Sequence, residues 1–124
     1  MRLARWIFLI AGIYGVLVIT PLYFFEDQIG RDYPPAITHP DIYYGFVGVT
    51  LAWQVAFLVI ASNPLRLRPF MLPAILEKAS YGIAVLVLFA QERVAPPVVG
   101  LVMIDFLVLG GLFLVAYLKT AGER

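Results

Sequence analysis

Four long apolar segments constrain the fold of this 124-residue chain more than any other feature of its sequence. They run over about residues 6–25, 42–61, 70–90 and 98–118. Each holds the roughly 20 apolar residues that an α-helix needs to cross about 30 Å of hydrocarbon. Only 14% of the residues are charged, whereas a soluble domain carries about 25%. The sequence therefore predicts an all-α integral membrane protein in which residues 1–124 form a single transmembrane domain.

The connections between these spans are polar and rich in proline. The longest is a predicted external loop over residues 26–41, and the other two cover residues 62–69 and 91–97. Short connections place consecutive helices beside each other in opposite directions. We therefore expect an antiparallel four-helix bundle.

The basic residues near the span ends predict the orientation of this bundle. Short loops rich in Lys and Arg stay in the cytoplasm. Six basic residues flank one side of the spans, namely Arg2, Arg5, Arg66, Arg68, Lys119 and Arg124, and two flank the other, namely Arg31 and Arg93. Both termini are therefore predicted to be cytoplasmic, in a multi-pass protein of the bacterial cytoplasmic (inner) membrane. The first apolar run is too long for a signal peptide and lacks a small-x-small cleavage site, so we expect it to be an uncleaved span.

Three ionisable residues lie inside the predicted spans: Glu77, Lys78 and Asp105. Insertion of such a residue at the centre of a spanning helix costs about 2.5–3.5 kcal/mol of free energy. Each of the three should therefore face protein or water and have a partner. At a rise of about 1.5 Å per residue, Glu77 lies roughly 10 Å and Lys78 roughly 12 Å above the inner boundary. Asp105 lies roughly 20 Å above it, so a contact between Lys78 and Asp105 requires helix tilt.

Other polar side chains fall near the same layer. Gln54 and Tyr14 lie at roughly 10 and 12 Å by the same arithmetic, and Tyr81 lies one turn outward of Glu77. The sequence therefore predicts a small polar cavity that binds a ligand or a proton, with six candidate side chains. They are Asp105, Glu77, Lys78, Gln54, Tyr14 and Tyr81. In the alternative interpretation, the third helix begins near Leu76 and the charged ends of Glu77 and Lys78 extend to the cytoplasmic interface.

Small residues recur at helical spacing in the spans. Ala11-x-x-x-Gly15 in the first and Gly48-x-x-x-Ala52-x-x-x-Ala56 in the second predict faces on which helix backbones approach closely. Such faces serve the bundle itself or a homodimer. Gly110-Gly111 in the fourth span favours a tight crossing or a bend.

Several chemistries are not indicated by the sequence. There is no cysteine and only one histidine, His39, so no metal site is predicted. No catalytic motif or catalytic residue can be named, and no cofactor is evident, although a quinone or a lipid would suit the polar layer. The net charge of +1 provides no basic field for nucleic acid.

The chain resembles the DoxX-like group of small bacterial four-helix membrane proteins. The resemblance rests on size, cytoplasmic termini, the long first external loop and the segment Asn63-Pro64-Leu65-Arg66-Leu67-Arg68-Pro69, followed by Leu76-Glu77-Lys78. It implies a bundle without an established common activity, in a group of which some members are associated with quinone-linked oxidoreductase complexes or oxidative stress. The small multidrug transporter family is similar in length, but it depends on a glutamate in its first span, where this chain has no acid.

Three functional hypotheses follow. The first is a binding or accessory protein that holds a lipid-like or quinone-like molecule, or that acts as a small subunit of a larger membrane complex. The second is a proton-coupled transporter that works as a homo-oligomer, with Asp105 or Glu77 as the proton site. The third, ranked last, is an intramembrane isomerase-type enzyme, because the two carboxyl groups are expected about 10 Å apart in depth.

Overall fold

The computed structural model describes residues 2–122, and this part of the chain contains helices and no strands. Four of its helical stretches are long and apolar enough to cross a membrane: Arg2–Phe24, Pro40–Ser62, Arg68–Ala90 and Pro96–Lys119. The four predicted apolar helices are thus confirmed. Each begins two to four residues before the predicted start, and three of them begin at or next to a proline, which is preorganised for the first helical turn. Arg124, counted among the predicted cytoplasmic charges, lies outside the described residues.

The first stretch consists of helix α1 (Arg2–Ile19) and a 3-10 turn at Thr20–Phe24. Pro21 lies in this turn and lacks the N–H that would continue the α-helical ladder. Within the predicted external loop the chain forms a short helix that the sequence analysis did not predict, α2 (Glu26–Asp32). Its acidic first turn and the basic Arg31 in its last turn both complement the helix dipole.

The second and third stretches are long helices. They are α3 (Pro40–Ser62) and α4 (Met71–Ala90), and a 3-10 turn at Arg68–Phe70 leads into α4. The hydroxyls of Tyr43 and Tyr44 join the start of α3 to the end of the first stretch and to the start of α2. Tyr43 donates to the Leu22 carbonyl at 2.7 Å, and Tyr44 donates to Glu26 Oε1 at 3.0 Å.

The fourth stretch is interrupted by a change of helix type. It starts as α5 (Pro96–Met103), widens into a π-helix at Ile104–Gly110, and ends as α6 (Gly111–Lys119). The π-helix ends at Gly110-Gly111, where the sequence favoured a bend. A π-helical segment of this kind is rare and is frequently found at functional sites.

The small-residue faces are only partly used as predicted. In α1, Ala11 and Gly15 are buried, and α3 is the main packing partner of that helix. In α3, Ala52 is exposed, and the buried face instead contains Val47 and Gln54. The larger side chains of α3 therefore fill the space that the small residues of α1 leave.

The hydrophobic core occupies one half of the molecule, where α1 and α4 begin and α3 and α6 end. Its buried residues are Ala4, Ile7, Phe8, Ala11, Phe57, Ile60, Ala61, Met71, Ala74, Phe113 and Ala116. At its centre Phe8 stacks on Phe113 with 4.4 Å between ring centres, and Phe57 meets Phe113 edge-on at 4.8 Å. Beyond this aromatic cluster the helices surround a cavity.

Candidate functional site

The six candidate side chains line one cavity of about 400 Å³. Tyr14 comes from α1, Gln54 from α3, Glu77, Lys78 and Tyr81 from α4, and Asp105 from the π-helix. All four apolar stretches therefore contribute a candidate residue to the wall. The role of these residues in binding a ligand or a proton stays a prediction.

Lys78 is the centre of the charged group in this cavity. Its Nζ lies 3.1 Å from Asp105 Oδ1, to which it donates a hydrogen bond, and 3.5 Å from Glu77 Oε2. The Lys78 side chain is only 4% exposed, so its ammonium is held inside the protein and does not extend to the surface. The alternative that the third helix begins near Leu76 is wrong, since α4 already begins at Met71.

The π-helix removes part of the depth difference expected between Asp105 and Lys78. The depth estimate assumed an uninterrupted α-helix and placed Asp105 well outward of Lys78. A π-turn contains more residues than an α-turn and advances less along the axis for each residue. The wide separation expected between the carboxylates of Glu77 and Asp105 is not observed, because both reach the same ammonium.

Two core rings cover the other side of the Lys78 ammonium. Its Nζ lies 5.2 Å from the ring centre of Phe57 and 6.0 Å from that of Phe113. A cation within about 6 Å of an aromatic ring centre is attracted by the ring's negative face. The sequence analysis missed both rings, and no local signal marks them, because Phe57 and Phe113 lie in other spans.

Gln54 is held by α1 as well as by its own helix. Its side chain is 2% exposed, and Nε2 donates to the Thr50 carbonyl at 2.9 Å. A Cβ atom at Gly15 would overlap the Gln54 amide. The glycine that the Ala11-x-x-x-Gly15 motif singled out thus makes room for a polar side chain of the cavity.

Glu77 lies between this cavity and a smaller one. Its Oε2 atom is buried and, within residues 2–122, accepts no hydrogen bond. The second cavity, of about 290 Å³, is lined by residues of α3 and α4, including Trp53, Pro73 and Glu77. Ser80 lines both cavities and was not among the predicted residues, although it follows Glu77 at helical i+3 spacing.

The rim of the 400 Å³ cavity is apolar and aromatic, and it is open to the surroundings of the protein. Tyr14 is 52% exposed, and Val18 and Leu101, which line the same cavity, are also exposed. Phe46 and Tyr81 form an aromatic pair on the rim, with ring centres 5.8 Å apart. The cavity therefore combines a charged floor, formed by Glu77, Lys78 and Asp105, with a rim that an apolar chain can contact.

The chemistry of the floor is that of hydrogen bonding and charge. Among residues 2–122 no three His, Asp or Glu side chains come together in a way that could hold a metal ion.

A larger cavity of about 530 Å³ lies at the connection between α3 and α4, next to Asn63, Arg66 and Arg68. It contains none of the six candidates, so size alone does not identify the site.

Comparison of the chain with protein-family models, with curated proteins and with solved structures found no match. The function proposed for the chain therefore rests on its own residues and on the geometry of the cavity.

Proposed function

We propose that the chain is a binding or accessory protein of the bacterial cytoplasmic membrane that holds one lipid-like or quinone-like molecule in the cavity between its four spans. One observation carries this proposal. A single cavity of about 400 Å³ joins polar side chains from all four spans to an apolar rim. Cavities of roughly 300–1,000 Å³ with few polar groups in apolar walls are typical of small-molecule sites.

The proposal includes an antiparallel four-helix bundle with both termini in the cytoplasm. The arrangement of the core supports it, because the first residues of α1 and α4 pack with the last residues of α3 and α6. The excess of Lys and Arg on that side supports the orientation. These features also agree with the DoxX-like resemblance, which we retain as part of the proposal.

The cavity suits an amphipathic occupant with its polar head inward. At the charged floor, Lys78 is buried, Glu77 is 20% exposed and Asp105 is 37% exposed. Val18 and Leu101 at the rim are more exposed, at 45% and 57%. In a bilayer such exposed apolar side chains face lipid, so the apolar part of an occupant could leave through the opening without meeting water. A lipid or a quinone with its head at the charged floor and its tail in the bilayer fits this arrangement of polar and apolar groups.

The experiment is native mass spectrometry of the protein purified in a mild non-ionic detergent after incubation with a bacterial polar lipid extract that contains quinones. Wild-type protein is expected to retain one small molecule. Val18→Trp, which fills the rim, is expected to lose at least nine tenths of it. Leu17→Trp is the matched control, since Leu17 is the exposed neighbour that does not line the cavity.

Absence of a bound molecule from wild-type protein, or equal retention by Val18→Trp, would overturn the proposal. The same measurement reports whether the chain forms a homo-oligomer or purifies with other membrane subunits. The carboxyl groups of Glu77 and Asp105 inside the apolar helices favour proton-coupled transport as the second candidate function, because ionisable groups at such positions often belong to proton relays. Vesicles containing the purified protein separate the two functions, because only a transporter moves protons in exchange for a cationic dye.

A further inference from the structure

The charges at the floor of the 400 Å³ cavity do not balance. Glu77 and Asp105 provide two carboxylates, and Lys78 provides one ammonium. When all three are ionised, the group carries one net negative charge. A charge without a counter-ion is costly away from water, so a positively charged occupant would stabilise this group.

The Lys78 ammonium is already engaged and is poorly placed to bind an anion. It donates to Asp105 at 3.1 Å, lies 3.5 Å from Glu77 Oε2, and is covered on another side by the rings of Phe57 and Phe113. An anionic head would have to compete with both carboxylates and would add a second negative charge. The floor therefore disfavours carboxylate and phosphate heads.

The charged groups that an occupant can meet are the two carboxylates. Glu77 is 20% exposed, and its buried Oε2 atom has only the Lys78 ammonium beside it, at 3.5 Å and without a hydrogen bond within the described part of the chain. Asp105 is 37% exposed and is the most accessible of the three charged side chains. One N–H of the Gln54 amide is used by the Thr50 carbonyl, and the hydroxyls of Tyr14 and Tyr81 are neutral groups of the wall, so the two carboxylates supply the charge that an occupant meets.

Aromatic rings also line this cavity. Tyr14 comes from α1, and the neighbouring rings of Phe46 and Tyr81 come from α3 and α4. Aromatic faces combined with carboxylates are the groups that recognise ammonium cations. The apolar rim at Val18 and Leu101 would then contact the hydrocarbon part of the same molecule.

We propose that the cavity selects an amphipathic monovalent cation, with an amine or ammonium head at Glu77 and Asp105 and an apolar tail along the rim. This inference rests on the proposed function and specifies the class of its ligand. A quinone, which is neutral, and a fatty acid, which is anionic, are the competing classes.

Probes that share one ten-carbon tail and differ in the head test this proposal. The purified protein is incubated with equal concentrations of decylamine, decanol or decanoate, and the bound fraction is measured by native mass spectrometry. Decylamine is expected to bind at least about tenfold more tightly than decanol, and decanoate more weakly than either. Methylamine, which has the charge without the tail, is expected not to bind.

A substitution at Glu77 separates charge recognition from tail binding. Glu77→Gln is expected to lower decylamine affinity about tenfold and to leave decanol affinity unchanged. Glu92→Gln is the control, because Glu92 is exposed and lies outside the cavity. The order of the probes on wild-type protein is a sufficient test if Glu77→Gln does not fold.

The outcomes distinguish failure of this inference from failure of the proposed function. Decylubiquinone, measured in the same way, serves as the quinone probe. Equal or tighter binding of decanol, of decanoate or of decylubiquinone relative to decylamine would overturn the cation proposal and leave a binding site in place. The same holds if decylamine binds Glu77→Gln as tightly as wild-type protein. If none of the tailed probes binds wild-type protein, both proposals are wrong.

Discussion

Arg68 joins two distant parts of the chain through one side chain. Its Nε and Nη2 atoms donate to the Tyr117 carbonyl at 3.1 and 2.9 Å, and Nε also donates to Thr120 Oγ1 at 3.0 Å. The guanidinium stacks on the Tyr117 ring at 3.8 Å. The last carbonyls of a helix have no partner within the helix, so Arg68 supplies one for the end of α6.

We expect Arg68→Gln to lower the free energy of unfolding by about 2 kcal/mol, since it removes hydrogen bonds from a charged donor and the stacking contact. Thermal unfolding in non-ionic detergent would show this as a melting temperature several degrees lower. Arg68→Lys should recover only part of the loss, because an ammonium lacks the planar fork of donors.

The control for Arg68 is its neighbour Arg66, which has the same charge and is exposed. Arg66→Gln removes the same predicted cytoplasmic charge and should change the melting temperature by about a degree or less, as surface substitutions usually do. Equal effects of the two substitutions would mean that the contacts of Arg68 do not stabilise the fold.

For single residues, the sequence located the charged exceptions and the contact between Lys78 and Asp105, but not the aromatic rings around Lys78 or the partners of Arg68. Glu77, Lys78 and Asp105 stood out because a charged group in hydrocarbon is costly wherever its helix lies. Arg68 looked like one more basic residue at a span end. Its contact with Tyr117 joins residues far apart in the chain, and no local pattern encodes that proximity.

Among the elements, the π-helix decides how the fourth stretch packs on α4. Phe106, in the π-helix, lies against Gly82 of α4. A Cβ atom at Gly82 would fall 2.5 Å from Phe106 Cγ and 2.8 Å from Phe106 Cβ. This close approach brings the neighbouring Asp105 toward Lys78.

We expect Gly82→Ala to destabilise the protein by about 1–3 kcal/mol, the usual cost of extra volume in a packed interface. The measurement is thermal unfolding in non-ionic detergent. Gly100→Ala is the matched control in α5, where an added Cβ would meet nothing within 4 Å. Its stability should be unchanged or slightly higher, because alanine favours helix more than glycine does.

A second variant tests whether Phe106 is the cause of the Gly82→Ala effect. Replacing Phe106 by a smaller side chain, Phe106→Leu, in the Gly82→Ala background should restore part of the lost stability, since residues in contact give non-additive effects. If the double variant loses the sum of the two single losses, the proposed contact is not what makes Gly82 necessary.

Sequence reasoning was more successful with the long helices than with the elements between and within them. A spanning helix is recognised from the length and composition of one continuous segment. The predicted starts of the four apolar helices therefore lie within four residues of the observed starts. The helix α2 was missed because its residues are polar and lie in a loop rich in proline. The π-helix was missed because a shift of backbone hydrogen bonds from i+4 to i+5 leaves no mark on hydropathy.

In the molecule as a whole, the aromatic core and the candidate cavity occupy different places. The aromatic core of Phe8, Phe57 and Phe113 closes the half where the chain begins, and the cavity lies beyond it. Lys78 lies at the boundary, with core rings on one side and the carboxylates on the other. Cavity variants at the rim should therefore affect binding more than stability.

The orientation of the whole molecule in the bilayer can be measured directly, because the chain contains no cysteine. Ala36→Cys and Leu67→Cys each introduce a single thiol, one in the predicted external loop and one in the connection between α3 and α4. In intact cells whose outer membrane is permeable, a membrane-impermeant maleimide is expected to label position 36. Position 67 should react only after the cytoplasmic membrane is opened. The physical reason is the excess of Lys and Arg on the side of position 67.

Labelling after lysis serves as the control, since it shows that both thiols are accessible once no membrane separates them from the reagent. The reverse pattern, with position 67 labelled in intact cells and position 36 protected, would place both termini in the periplasm. Labelling of both positions in intact cells would contradict an odd number of crossings between them. The cavity floor would keep its contacts in either orientation, because Lys78, Asp105 and Glu77 meet inside the protein.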